Sequence, residues 1–195
     1  AAAGNNSGTS WEHAHRGAFG LKAALDGLAA SLPAPVEIWI AEGTYKPVAC
    51  AIAGSCTTDE RQASFLLAND VALYGGFSGS ENARNARDPE ANITVLSGDI
   101  GIEGDVTDNS YHVVSSTGLN ASAKLDGLTI TQGNADGDDA ESKSGGGMRN
   151  EGGSPTLRNI NIVDNRADAR GGGLNLSAGS SPVLSYVRLV GNSAN

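Results

Sequence analysis

Apolar and polar positions fall into an aligned pattern over the last third of the chain. Leu157-Arg-Asn-Ile-Asn-Ile-Val-Asp-Asn-Arg-Ala167 lies 27 residues before Leu184-Ser-Tyr-Val-Arg-Leu-Val-Gly-Asn-Ser-Ala194. A third copy, Leu125-Asp-Gly-Leu-Thr-Ile-Thr-Gln-Gly-Asn-Ala135, begins 32 residues before the first of these. Three columns are apolar in every copy: Leu125/Leu157/Leu184, Leu128/Ile160/Val187 and Ile130/Ile162/Leu189. A fourth reads Gly133/Asn165/Asn192, residue types that tolerate a left-handed backbone at low cost. Two of the copies run on into glycine triplets, Gly145-Gly-Gly-Met148 and Gly171-Gly-Gly-Leu174. A period in this range marks units that bury their apolar faces only by stacking on one another.

Inside each copy the apolar residues alternate (Leu128, Ile130; Ile160, Ile162; Val187, Leu189), which is the period of a strand. Helical repeats would need two amphipathic stretches of about ten residues or more per unit, and glycine and asparagine interrupt these units too often for that. The expected fold class is therefore all-β: a right-handed parallel β-helix, or solenoid, with an N-terminal helical cap. Its coils would stack at about 4.8 Å, and Asn165 would sit above Asn192 in an amide ladder. Thr129, Asn161 and Arg188 form the column expected to face outward.

Upstream, Thr9-Ser-Trp-Glu12 reads as a capping box. Trp11, Ala14, Ala18, Leu21, Leu25 and Leu28 then place an apolar stripe on a helix running to about Ala30, weakened by Gly17 and Gly20. This helix is expected to cover the open end of the strands. Pro33 and Pro35 end it, so residues 1–35 form the N-terminal segment and residues 36–195 the repeat region. Val36, Ile38 and Ile40 begin the first strand with Glu37 and Trp39 on the other face. Further strands are expected near Ser64–Leu67, Val71–Tyr74, Thr94–Leu96 and Tyr111–Val114, and the acidic stretch Asp99–Asp108 as an outer loop. Residues 46–63 read as a loop holding the chain's two cysteines, Cys50 and Cys56. One close pair with no other cysteine points to a local disulfide and to a compartment outside the reducing cytosol.

The formal charge of −9 argues against nucleic acid and anionic membranes, which demand a basic footprint. It also disfavours a polyanionic glycan unless calcium bridges the two. No apolar run reaches the roughly 18 residues needed to span a bilayer. Ala1-Ala-Ala-Gly-Asn-Asn-Ser7 reads as a mature start after a small-residue cleavage site.

The candidate chemical site is the insertion Asn134–Glu141. Asn134, Asp136, Asp138, Asp139 and Glu141 offer five oxygen-bearing side chains within eight residues, a composition suited to calcium. The bland alternative is a solvated acidic loop. His13 and His15, two apart on the expected helix, point away from each other, and His112 reads as a packed strand imidazole. No nucleophile elbow, phosphate-binding loop or zinc-protease helix motif occurs. For an eliminating lyase, Arg188 could serve as base with Asp164 or Asp168 on calcium, but sequence spacing singles out no such set.

The glycine triplets followed by Met148 and Leu174, together with Val163-x-Asn165 and Val190-x-Asn192, resemble the repeats of polymorphic outer-membrane proteins. Val36–Pro47, Val71–Phe77, Leu96–Asp99 and Ser110–Val114 resemble the opening coils of bacterial surface proteins with pectate-lyase-like folds. The resemblance implies an extracellular or cell-surface location. It also implies a non-catalytic role as adhesin, stalk or assembly element, with other protein subunits or surface glycans as partners. The alternative activity is that of a calcium-dependent polysaccharide lyase or glycoside hydrolase, since such a scaffold carries both kinds. The final copy, Leu184–Val190, is expected to leave an open edge through which molecules associate end to end.

Overall fold

A computed structural model describes residues 5–28, 35–52 and 54–195. The expected helix end near Ala30, Pro33, and the first residues of the expected mature start lie outside the described residues. Among the described residues helix is confined to α1 (Gly20–Leu28), α2 (Thr58–Arg61) and two single-turn 3-10 segments; the rest of their regular structure is strand. In chain order the strands are β1 (Val36–Ala41), β2 (Gly43–Tyr45), β3 (Phe65–Leu66), β4 (Val71–Phe77), β5 (Thr94–Ser97), β6 (Val114–Thr117) and β7 (Lys124–Thr131). They continue as β8 (Asn134–Ala135), β9 (Met148–Glu151), β10 (Thr156–Val163), β11 (Arg166–Ala167), β12 (Leu174–Ser177), β13 (Val183–Val190) and β14 (Ser193–Ala194).

Among the described residues all strand pairs are parallel, and they sort into three sheets. The largest has seven strands in the order β1-β4-β7-β10-β13, with β2 and β5 beside that path. A second runs β3-β6-β9-β12, and a third β8-β11-β14. The apolar columns of the sequence are in register across β7, β10 and β13: Leu125 on Leu157 on Leu184, Leu128 on Ile160 on Val187, and Ile130 on Ile162 on Leu189. Leu125, Leu128, Ile130, Leu157, Ile160 and Ile162 are fully buried with Leu73, Leu96, Phe65, Val113 and Met148 in one core. Each such side chain contributes roughly 1.5–3 kcal/mol through its removal from water.

The expectation of one right-handed parallel β-helix with an N-terminal helical cap is corrected by this arrangement. The strands form three separate sheets of unequal extent, with seven, four and three members, and not one closed solenoid. The large sheet branches. The first half of β7 pairs with β4 (Ala72–Tyr74) and its second half with β5 (Val95–Ser97); β4 and β5 in turn rest on β1 and β2. The cause is the excursion over residues 78–93 between β4 and β5. It brings Pro89 against Gly76 and Gly127, where a Cβ on either glycine would meet the proline ring at 2.7 and 3.0 Å. One long strand position is thereby split into two short ones.

Further expectations shift. Residues 9–19 are turns, and α1 begins only at Gly20. Gly17 takes a left-handed φ of +74°, which interrupts the stripe that the apolar spacing suggested. Leu21 still joins the core and Leu25 packs against it. The capping box found in the structure is Thr57/Glu60 at α2. The strand expected at Tyr111–Val114 starts where that span ends, at Val114, because Tyr111 and Ser110 carry the chain through a corner. Asp99 and Asp108, the ends of the acidic stretch, turn inward to accept the backbone N–H groups of Gly104 and Ile102 at 2.9 and 2.8 Å.

The corners explain the glycine and asparagine columns. Left-handed backbone falls one residue earlier than the sequence suggests, at Gln132 (φ +65°), Asp164 (+53°) and Gly191 (+67°). The following column is instead a ladder. Asn165 donates from Nδ2 to Asn192 Oδ1 (2.9 Å) and accepts at Oδ1 from Gly133 N–H (2.9 Å). The triplets make room for it: a Cβ at Gly147 would stand 2.9 Å from Asn165 Nδ2, and one at Gly173 2.7 Å from Asn192 Cγ.

Candidate functional site

β12, β13 and β14 are the last members of their sheets, so three strand edges lie open together at one end. The inner layers show what this end lacks. Leu157 and Ile162 are 0 % exposed, whereas their register partners Leu184 and Leu189 are 45 % and 51 % exposed. Leu176, Val183 and Val190 are exposed as well. The side chains keep the columns of the core and their layer has no cover on the outer side, so this face combines apolar surface with unpaired backbone groups.

On the outer side of the large sheet Thr129, Asn161 and Arg188 are in register, as expected from the alternation. The column offers a hydroxyl, an amide and a guanidinium. Asp126, one turn of the pleat away, is buried and held by Arg87 (2.8 Å) and Asn159 Nδ2 (2.8 Å). Tyr186 stands 79 % exposed on β13 with a left-handed φ of +54°. It occupies the position that Gly127 and Asn159 fill in the two inner repeats, a bulge that the register skips. Asp164 lies over Gly191, and Asp168 accepts a hydrogen bond from Asn195 at 3.4 Å.

The acidic insertion is tied to the protein itself. Asn134 is buried in β8, and its Nδ2 donates to Val106 O (2.8 Å) and Asp136 Oδ2 (2.9 Å). Asp136 forms an ion pair with Arg61. Asp139 accepts from the N–H and hydroxyl of Ser142 (2.7 and 2.9 Å), bonds that hold its carboxyl below the usual range. Glu141 pairs with Arg149 at 3.3 Å, and Asp138 is exposed. Among the described residues no group of three or more His, Cys, Asp or Glu side chains comes together to hold a metal ion.

Sequence reasoning missed Arg61. Its guanidinium also donates from Nε to Asn109 O (2.7 Å) and from Nη2 to Asn134 O (3.2 Å), and it lies 4.3 Å above the Tyr111 ring. The signal was faint: a lone arginine after a four-residue box, 75 residues from its carboxylate partner. The histidines stay apart. His13 accepts from Asn5 N–H, and His15 lies beside Gly8. His112 donates from Nδ1 to Gly145 O at 3.0 Å. Burial pushes its pKa below the ordinary imidazole value; the Gly145 bond opposes this, and the charge of Arg149 adds to it.

Cys50 and Cys56 form a disulfide with Cα atoms 5.0 Å apart. No helix among the described residues is long and apolar enough to cross a membrane. Compared with protein-family models, curated proteins and solved structures, the chain matches none.

Proposed function

We propose that the chain is a non-catalytic structural module of an extracellular or cell-surface protein, a stalk or assembly element, whose β12–β14 face is covered by further β-strands. The exposure of Leu184 and Leu189, in columns that are sealed one layer inward, carries this reading. A layer that shares the core's register and apolar content is suited to receiving another layer of the same kind. The disulfide favours an oxidising compartment, and the resemblance of the glycine triplets and the Asn165/Asn192 column to bacterial surface repeats points the same way. Strands from a second molecule or from the same polypeptide would satisfy the face equally well, because both supply backbone N–H and C=O groups along the edge.

Absence of turnover distinguishes a module of this kind from a lyase or hydrolase. Pectate, alginate and chondroitin are incubated with the protein, with and without calcium, and unsaturated and reducing sugar ends are followed by absorbance. The expected outcome is no product above the buffer rate. Sustained release of either kind of end would replace the structural reading with an enzymatic one.

A further inference from the structure

We propose that the Cys50–Cys56 disulfide is a redox-sensitive latch that keeps Arg61 seated on the acidic segment Asn134–Glu141. The two regions are far apart in sequence and are joined by a continuous set of contacts. α2 is a single turn and too short to persist unsupported. On its N-terminal side it hangs from the disulfide loop: Ala51 N–H donates to Glu60 Oε1 (2.7 Å), Thr57 N–H to Glu60 Oε2 (2.7 Å) and Glu60 N–H to Thr57 Oγ1 (3.2 Å). Cys50 N–H donates to Ile100 O at 3.0 Å, which fixes the loop against the segment that follows β5. Arg61 closes the helix, and its side chain crosses Tyr111 to reach Asn109 O, Asn134 O and Asp136.

Asp136 begins a run that continues with Asp138, Asp139 and Glu141, four carboxylates within six residues. The Arg61 guanidinium, with its side chain only 12 % exposed, places a positive charge and two carbonyl-directed donors at the root of that run. Cys50 and Cys56 are both partly exposed, so a small dithiol can reach the bridge. A thiolate of the dithiol attacks one sulfur, the protein's S–S bond breaks, and the reagent's second thiol resolves the mixed disulfide. The protein gains two electrons and two protons as two cysteine thiols, and the dithiol leaves as its cyclic disulfide. The loop then loses its closure, Glu60 loses its fixed partner at Ala51, and Arg61 withdraws from Asp136.

Hydrogen exchange read by mass spectrometry tests the latch on the intact chain, with and without dithiothreitol. Reduction is expected to speed exchange over residues 134–144 by about tenfold or more, while residues 156–163 of β10 stay protected. The double variant Cys50→Ser, Cys56→Ser should show the same pattern without reductant. Arg61→Ala in the oxidised protein should loosen the same segment, and reducing that variant should add nothing further there. Acceleration confined to residues 46–62, or effects of reduction and of Arg61→Ala that add independently at 134–144, would overturn the proposal. Reduction of the unsubstituted protein needs no variant to fold, so the first comparison stands by itself.

Discussion

Asn165 does at one position what several residues share elsewhere in the fold. Its carboxamide accepts from Gly133 N–H and donates to Ile130 O, Val163 O and Asn192 Oδ1, all at 2.9–3.1 Å, in a place without solvent. Replacing it by alanine takes the acceptor from Gly133 N–H and the donor from Ile130 O, Val163 O and Asn192 Oδ1, and a buried group left unpaired costs about 1–3 kcal/mol. Asn165→Ala should therefore lower the unfolding free energy by about 3 kcal/mol or more, read from the denaturant midpoint at constant slope. Tyr186 is the opposite case. A left-handed tyrosine carries about 1–2 kcal/mol of strain, and its exposed ring recovers little by burial. Tyr186→Gly should raise the thermal midpoint, the gain in unfolding free energy being about 0.5–1 kcal/mol once glycine's greater freedom in the unfolded chain is set against the relief. His112 sets a pH dependence. Its pKa in the folded chain lies below the unfolded value of 6.5, so the unfolded chain binds the proton more readily. Stability should be constant above about pH 6.5 and fall as pH drops below it, until the folded pKa is passed. The difference between the melting curves of the native chain and His112→Gln should follow that shape; a difference independent of pH would contradict it.

At the scale of elements, the close approach of backbones decides which strands can exist. A Cβ at Gly146 would lie 2.1 Å from Arg166 O, so Gly146→Ala should separate β11 from the triplet corner. A loss of more than about 2 kcal/mol is expected, and an unchanged denaturant midpoint would count against the packing described. The apolar columns at 125/157/184, 128/160/187 and 130/162/189 were legible because a strand buried on one side must alternate, and repetition amplified the signal. The amide ladder and the disulfide were legible for similar reasons, a repeated column and a lone close pair. The branch in the large sheet was not. It depends on Pro89 meeting Gly76 and Gly127, a contact between residues with no shared pattern. Turn conformation at Gly17 overrode the helical spacing of Trp11, Ala14 and Ala18. The acidic insertion showed its oxygens in sequence and concealed its partners: Arg61 and Arg149 reach Asp136 and Glu141 only once the sheets have formed.

The whole molecule is graded from a sealed interior to an open face. Leu73, Leu125 and Leu157 are fully buried in successive layers, and the series ends at Leu184, nearly half exposed. With a net charge of −9, long-range repulsion opposes association at low salt and is screened at physiological ionic strength, where the Debye length is about 8 Å. Apolar burial at the β12–β14 face then acts over shorter distances than the repulsion it must offset. The most direct test is light scattering over a concentration series at physiological salt, comparing the native chain with the double variant Leu184→Lys, Leu189→Lys. The expected result is a mass that rises with concentration for the native chain and stays at the 19.7 kDa of one chain for the variant. A native chain that remains monomeric throughout, or a variant that associates equally well, would contradict the assignment of this face as the one that receives further strands.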